Sequence, residues 1–250
     1  LSADLISSHG HTVFHQPEKR LTLQIGNGSN ILAKTGTTTV TNFRDLDIAL
    51  SGEGAPLVPN GEKELFPEYH NFLNLGGIAN ISVHNHEKII GFDITAANMI
   101  LNHLSKKYFN KEFDKNGELA KEGEVIKPLL KRLNMIDYFS KPPPKSLGKE
   151  YVFDFLIPLI DDENEDPKNL LRTAIAHIVN EICSSIKKLD IKDEILITGG
   201  GALNIFLLSQ LNECFDHFVI PNKNTVEYKE ALIFAFLGLK RYLGEINNLS

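Results

Sequence analysis

Asp93 follows the apolar run Ile89-Ile-Gly-Phe and stands just ahead of a helical pattern that opens near Asn98. That spacing places a carboxylate at the carboxyl end of a strand, where open α/β sheets gather their ligands. A carboxylate there can act as general base for a nucleophile within hydrogen-bond reach, or it can cap the helix that follows. A second pattern is the strand–glycine–helix unit Ile195-Leu-Ile-Thr-Gly199-Gly200-Gly201-Ala-Leu-Asn204. Bare backbone amides at a helix start attract phosphate, although a triple glycine is often only a tight turn. No Gly-Lys-Ser/Thr follows, and the G-x-G-x-x-G spacing is absent, so neither standard nucleotide loop is present. Gly76 and Gly77, between two apolar runs, allow a turn to approach a ligand closely.

Other polar clusters carry weaker signals. Ser8-His9-Gly-His11-Thr12-Val-Phe-His15 places three histidines within seven residues. No Cys, Asp or Glu stands nearby at ligand spacing, and zinc takes three or four ligands, so no metal ligands are assigned. Contact with a substrate and a hydrogen-bonded turn both remain open. His84 and His86 fall in a hairpin turn and are expected to be solvated. Arg44, in Asn42-Phe-Arg44-Asp-Leu-Asp47 beside Gly52-Glu53-Gly-Ala-Pro56, can clamp an anion or form a surface ion pair. Lys145 and Lys149, within Pro143-Pro-Lys-Ser146-Leu-Gly-Lys-Glu-Tyr151, can face an anion or lie in a solvated loop.

The elements that must position these residues alternate between strands and helices. Leu21–Ile25 reads as a strand, and a short helix over Ile31–Lys34, capped by Ser29 or Asn30, ends at Gly36. Phe72–Leu75, Ile78–Val83 and Ile89–Asp93 read as an antiparallel meander. Asn98–Tyr108 has helical spacing. Pro167–Leu189 is the clearest amphipathic helix, with Asp166 as its cap. Glu194–Thr198 is a buried strand leading through the glycines into a helix from Ala202 to about Cys214, and Val226–Leu243 forms a last long helix. Long helices mixed with strands imply an α/β protein.

Composition narrows the classes. The 250 residues hold 26 basic and 32 acidic side chains, a net charge of −6 with histidine neutral, which argues against a nucleic-acid surface. The hydrophobic fraction of 42% supports a real core. The longest apolar stretch, Ala231 to Leu239, is far below the roughly 20 residues of a membrane span, so no membrane partner is expected. Cys183 and Cys214 suggest no disulfide framework and no CxxC, which fits a reduced, cytoplasmic compartment. No leader is expected at the start, and both ends are expected to be cuts from a longer protein.

In this order the motifs resemble the anhydro-N-acetylmuramic acid kinase family. His9-Gly-His11-Thr12-Val-Phe-His-Gln-Pro17, Leu23–Gly26, Asn42-Phe-Arg44, Gly52–Pro59, Leu73–Ile81, Gly91-Phe-Asp93, Pro144-Lys-Ser146, Gly199-Gly-Gly-Ala202 and Glu230-Ala231 carry the likeness over nearly the whole chain. The resemblance implies an actin-like (ribonuclease H-like) two-domain sugar-kinase fold with the first phosphate-loop hairpin missing, because the family's glycine- and serine-rich opening loop has no match here. It implies the remainder of an N-terminal lobe over 1–70 and a C-terminal lobe over 71–250, whose last helix, about 227–243, packs back on the first lobe. It implies a kinase of peptidoglycan recycling that uses ATP and Mg²⁺. Such an enzyme hydrolytically opens 1,6-anhydro-N-acetylmuramic acid and phosphorylates its 6-oxygen, and it acts as a homodimer. Asp93 would then be the base, with His9, His11, Thr12, Arg44 and Glu230 on the sugar, and Gly76, Gly77, Asn98, Gly199, Gly200 and Gly201 on the nucleotide. The departures are Asn42, Glu53 and Lys149, where the family usually has Asp, Gln and Arg, and Asp93-Ile-Thr-Ala-Ala-Asn98, where it usually has Asp-Thr-Gly-Pro-Gly-Asn. The alternative expectation is a non-catalytic relative or inactive fragment that binds a sugar or a partner.

Overall fold

The structure is a computed structural model, and it describes residues 3–16, 19–50, 54, 57–85, 88–161 and 163–246. Contacts divide the chain into two units, Leu1–Glu68 with Tyr228–Ser250, and Tyr69–Glu227.

In the first unit β1 (Ile6–Ser7) pairs in parallel with β4 (Thr39–Val40), and β2 (His11–Gln16) forms an antiparallel hairpin with β3 (Leu21–Ile25). Helix α1 (Gly28–Thr35) lies between β3 and β4. Its cap is Asn27, not Ser29 or Asn30, because the Asn27 side chain accepts the Asn30 N–H at 3.0 Å. The helix therefore starts three residues earlier than its apolar spacing suggests, and it stops at left-handed Gly36 as expected. Two further helices, α2 (Asp45–Ala49) and α3 (Val58–Leu65), complete this stretch.

The second unit holds a five-stranded sheet built from β5 (Asn71–Leu75), β6 (Ile78–His84), β7 (Ile89–Ala96), β8 (Ile195–Thr198) and β9 (Phe218–Val219). The order is β7-β6-β5-β8-β9, and β6 alone runs against the other four. That is the strand plan of a ribonuclease H-like fold. β8 is buried along its whole length, as an internal parallel strand with both faces covered must be. The meander was legible in its first two strands. The third runs on past Asp93 to Ala96, which corrects the placement of Asp93 at the strand's end. His84 is also corrected. It closes β6 and is buried against the Phe72 ring at 5.0 Å, because the strand outlasts the apolar run by one residue. His86 lies outside the described residues.

Helix α4 (Asn98–Phe109) follows β7, and α5 (Glu118–Glu122), α6 (Lys127–Asn134) and α7 (Asp137–Ser140) follow in turn. Then come α8 (Lys149–Tyr151), a π-helical turn at Val152–Leu156, and α9 (Ile157–Asp161). The long α10 (Pro167–Lys188) packs on α4, α5, α6 and β7. Its start follows from Asp166, whose side chain accepts the Lys168 N–H at 2.8 Å, with proline in the first turn. Its buried stripe, Leu170, Leu171, Ala174, Ile175, Ile178, Ile182 and Ile186, is the predicted one. His177 sits in that stripe between Thr95 Oγ1 (3.1 Å) and Asn134 Oδ1 (2.7 Å), and burial pushes its pKa down to about 3. It is a neutral core histidine that ties α10 to β7 and α6.

After β8 the chain makes a 3₁₀ turn, Gly200–Leu203, and only then enters α11 (Ile205–Asn212). The expected single helix from Ala202 is split because the Asn204 side chain caps α11 by accepting the Leu207 N–H at 3.0 Å. The two cysteines are a further correction: Cys183 and Cys214 are joined in a disulfide, Cα to Cα 6.2 Å. They stand 31 positions apart, and only the packing of α10 beside α11 brings them together.

The last helix, α12 (Lys223–Tyr242), opens after Asn222, which accepts the Thr225 N–H at 3.1 Å. In the first unit its Ile233 and Leu237 form a small core with Phe43 and Leu57. Gly61 of α3 is needed there, because a Cβ would stand 2.5 Å from Ile233 Cγ2. Beside this core Lys229 Nζ reaches Glu62 Oε1 at 2.6 Å, and each side chain is only 3% exposed. Removing one partner of a buried pair strands the other charge away from water, which costs about 3–5 kcal/mol. Lys229→Ala should therefore lower unfolding free energy by about that much in a denaturant titration. A loss below about 1 kcal/mol, the surface-pair value, would show that the pair is not what holds α3 to α12.

Candidate active site

In the second unit the register decides what meets. Asn74 pairs with Thr198 across parallel β5 and β8, so the residues after each strand leave side by side. Gly76 and Gly77 thereby come beside Gly199, Gly200 and Gly201. Gly199 adopts φ 84°, ψ 164°, a region that only glycine occupies comfortably, and a Cβ there would lie 2.5 Å from Asn74 Oδ1. At Gly201 a Cβ would come within 2.7 Å of Leu75 Cβ. Asn98 Nδ2 donates to Leu75 O at 2.9 Å and lies next to Gly200 and Gly201. All six predicted nucleotide-side residues thus form one cluster. The Gly76-Gly77 turn also does something not anticipated. Its carbonyls accept from Ala97, Asn98 and Met99 N–H at 2.8, 3.1 and 3.1 Å, which caps α4. Those amides are spent inside the protein.

A cavity of about 410 Å³ opens beside the cluster. Leu101, Phe113, Ile175 and Leu203 supply its apolar wall, and Asn102, Lys115, Asn116 and Asn204 its polar groups. Sequence reasoning missed the Phe113–Asn116 stretch. The available signal was Asp114, whose two carboxylate oxygens take the Leu119 and Ala120 N–H at 3.0 Å each and fix the loop.

Asp93 lies on β7, one of the two edge strands of the sheet. The β6–β7 register slips between Ala79 and Asn80, which pair with Thr95 and Asp93, so a bulge sits at Ile94. Bulges re-aim side chains and gather near active sites. The carboxylate accepts Leu147 N–H at 2.9 Å and Ser146 Oγ–H at 3.1 Å, both on Oδ2. Burial raises its pKa and these two donors oppose the rise. Lys145, left open between an anion contact and a solvated loop, is half-buried and within electrostatic reach of the Glu181 carboxylate. Its Nζ lies 4.7 Å from the Tyr138 ring centre and donates to Tyr138 O at 3.3 Å. Lys149 is exposed at the start of α8.

The first unit carries its own polar group. Arg44 Nε donates to His9 Nε2 at 3.1 Å, and its NH1 donates to Gly54 O at 2.6 Å. Phe234 of α12 lies 4.5 Å from the His9 ring, and exposed Glu230 is one helical turn before it. His11 is exposed and Thr12 half-buried at a register shift in the β2–β3 hairpin. Asn42 takes φ 58°, which asparagine tolerates well. Glu53 lies outside the described residues. Among the described residues no group of three or more His, Cys, Asp or Glu could hold a metal ion, and no helix is long and apolar enough to cross a membrane.

With this geometry in place, comparison with known proteins is decisive. The family model described as anhydro-N-acetylmuramic acid kinase matches residues 2–249. The chain belongs to that family. A protein of this description from Aliivibrio fischeri is 36% identical over 256 residues, covering 97% of this chain and 70% of that protein. Relatives with the same description from Bacillus thuringiensis and Acinetobacter baylyi are 35% and 34% identical, each over 94% of this chain and 68% and 69% of their own lengths. Among solved structures, the activator of the 2-hydroxyisocaproyl-CoA dehydratase from Clostridium difficile with bound ADPNP is similar, with TM-score 0.49 and 14% identity over 92% of this chain and 90% of that one. Membership makes the chain a phosphotransferase of the kinase type.

Two expected outcomes follow from this geometry. Gly199→Ala forces a side chain into a glycine-only backbone region, costing on the order of 1–3 kcal/mol. Isothermal titration should show weakened ADP binding, and an unchanged affinity with unchanged stability would count against the tight packing. On α10, burial lifts Glu181 from the ordinary glutamate value of 4.5 to about 7, while Lys145 and Lys188 pull it back. The folded protein then holds a proton that the unfolded chain releases, so this residue's contribution declines as pH rises through that window. Glu181→Gln should raise the melting temperature at pH 8 and leave it unchanged at pH 4, and equal melting at pH 8 would refute the assignment.

Proposed function

We propose that the enzyme opens 1,6-anhydro-N-acetylmuramic acid with water and moves the γ-phosphoryl group of ATP to the freed 6-oxygen, giving N-acetylmuramic acid 6-phosphate and ADP. The observation that carries this reading is a half-buried carboxylate at a strand bulge, in the same unit as a double glycine cradle. Water oxygen bonds to carbon 1 of the sugar and its proton passes to Asp93. The bond from carbon 1 to the bridge oxygen breaks. That oxygen, still on carbon 6, attacks the γ-phosphorus and ADP leaves. Phosphoryl transfer asks the protein mostly for position and charge neutralisation. Gly199, Gly200, Gly201, Gly76, Gly77 and Asn98 would face the phosphates, and the cavity lined by Leu101, Phe113 and Ile175 would take the base and ribose.

His9, His11, Thr12, Arg44 and Glu230 would face the sugar, with Arg44 held in place by His9 and Gly54. Mg²⁺ would enter on the nucleotide. The described residues offer no protein cage for it, and magnesium bound to phosphates keeps several waters and needs only one or two carboxylates. It would neutralise phosphate charge, and no step above runs through it. A homodimer and a cytoplasmic site of action complete the reading and rest on the family alone, because the Cys183–Cys214 disulfide removes the cysteine argument for a reduced compartment. Against a non-catalytic relative stands the retention of Asp93 with both of its side-chain donors.

Asp93→Asn tests the base. Asparagine keeps the shape but cannot take a proton, and general-base catalysis is worth roughly 10²–10⁴-fold, about 3–5 kcal/mol of barrier. In the full-length enzyme kcat should fall at least about 100-fold in an ADP-release assay, with ADP affinity and melting temperature nearly unchanged. Turnover within about threefold of the starting enzyme, far less than a base supplies, would make Asp93 a structural residue.

A further inference from the structure

Asp93 is gripped at three points by one short stretch of chain. Its N–H donates to Lys145 O at 3.1 Å, and its carbonyl accepts from Tyr138 Oη at 2.7 Å. Its side chain accepts from Ser146 and Leu147. The two ends of the stretch are themselves tied, because Lys145 Nζ donates to Tyr138 O. The stretch thus docks on the open edge of β7 as one unit, and Ser146 arrives at the carboxylate with little freedom. Both side-chain donors fall on Oδ2, while Oδ1 receives none among the described residues.

We propose that Ser146 is a positioning residue for the base: its hydroxyl and the Leu147 N–H fix Oδ2, so that Oδ1 is the atom left to take the proton from water. This rests on the reading of Asp93 as the base. Two donors on one oxygen do two things. They fix the plane of the carboxylate about its side-chain bond, and they favour the ionised form. Ser146 is solvent-exposed and adds little packing, so its hydroxyl is the part of it that matters. The Leu147 amide belongs to the backbone and stays in any variant, which makes the serine hydroxyl the removable half of the clamp.

The test compares Ser146→Ala, Ser146→Thr and Asp93→Asn in the full-length enzyme, following turnover across pH. Losing one hydrogen bond to a charged group should lower kcat about tenfold in Ser146→Ala, with KM for the sugar and for ATP unchanged. Its acid limb should move to higher pH, because a carboxylate with fewer donors holds its proton longer. Ser146→Thr keeps the hydroxyl and should restore both the rate and the limb. If Asp93→Asn is inactive while Ser146→Ala keeps the original rate and profile, the positioning role is overturned and the base survives. A threonine variant as impaired as the alanine one likewise overturns it, since the hydroxyl would not be what acts. If Asp93→Asn turns over normally, the base and the clamp fall together.

Discussion

The edge of β7 is the constraint on which the candidate site depends. An edge strand presents unpaired N–H and C=O groups, and such an edge is a liability unless covered. Here the chain between Tyr138 and Leu147 covers it at Asp93, with the N–H answered by Lys145 O and the carbonyl by Tyr138 Oη. Covering the edge and orienting the carboxylate are one event. The bulge at Ile94 lets both happen, because it breaks the strict alternation of β7 just where Asp93 stands. Burial raises the Asp93 carboxyl in pKa, and the two donors offset part of that rise.

The nucleotide-side cluster obeys a second constraint, the register of β5 against β8. Parallel strands paired Asn74 to Thr198 must release their next residues at the same level. Two chains leaving so close together leave no room for side chains at Gly199 and Gly201, where a Cβ would come within 2.5 Å of Asn74 Oδ1 and 2.7 Å of Leu75 Cβ. At Gly199 a Cβ would also meet the Leu75 carbonyl carbon at 2.8 Å. Asn98 then bridges the turn to α4 by donating to Leu75 O. Backbone conformation, close approach and helix capping are solved together by the same few residues.

The sequence revealed β3, β5, β6, β8 and most of β7, the long helices and the residues of both glycine turns, because periodicity and glycine are local signals, but it missed β2 and β9. It could not reveal the bulge, which depends on how β7 registers against β6. Asp93 was therefore placed at the strand's end when it lies three residues inside it. The sequence pattern gave Lys145 as an anion contact or a solvated residue, and only the fold shows it bracing Tyr138. The cavity wall at Phe113 was missed although Asp114 marked its loop, and the Cys183–Cys214 bond was invisible because it joins segments far apart in sequence. The resemblance supplied the order of motifs and the expected chemistry. It did not say which atoms hold Asp93.

The histidine cluster shows how geometry narrows an ambiguous pattern. Three histidines in seven residues read as a substrate contact or a hydrogen-bonded turn, with metal the weakest option. In the structure Arg44 Nε donates to His9 Nε2, so that nitrogen must be the acceptor and the ring proton sits on Nδ1, which faces Gly10 O at 3.1 Å. Burial first, and then the neighbouring guanidinium, lower the His9 pKa and keep the ring neutral. A neutral ring with both nitrogens engaged is neither a proton donor to substrate nor a metal ligand, and a guanidinium 3.1 Å from Nε2 would repel a cation. What His9 does is orient Arg44. Gly54 O fixes the far end of the guanidinium, and Asp47, which accepts the Gly54 N–H, fixes Gly54 in turn. The chain from Asp47 through Gly54 and Arg44 to His9 is therefore a scaffold whose one mobile-length side chain, Arg44, is held rigid. A rigid guanidinium loses little entropy when it meets an anionic group, so within this pair Arg44, oriented by His9, is the side chain suited to hold an anion.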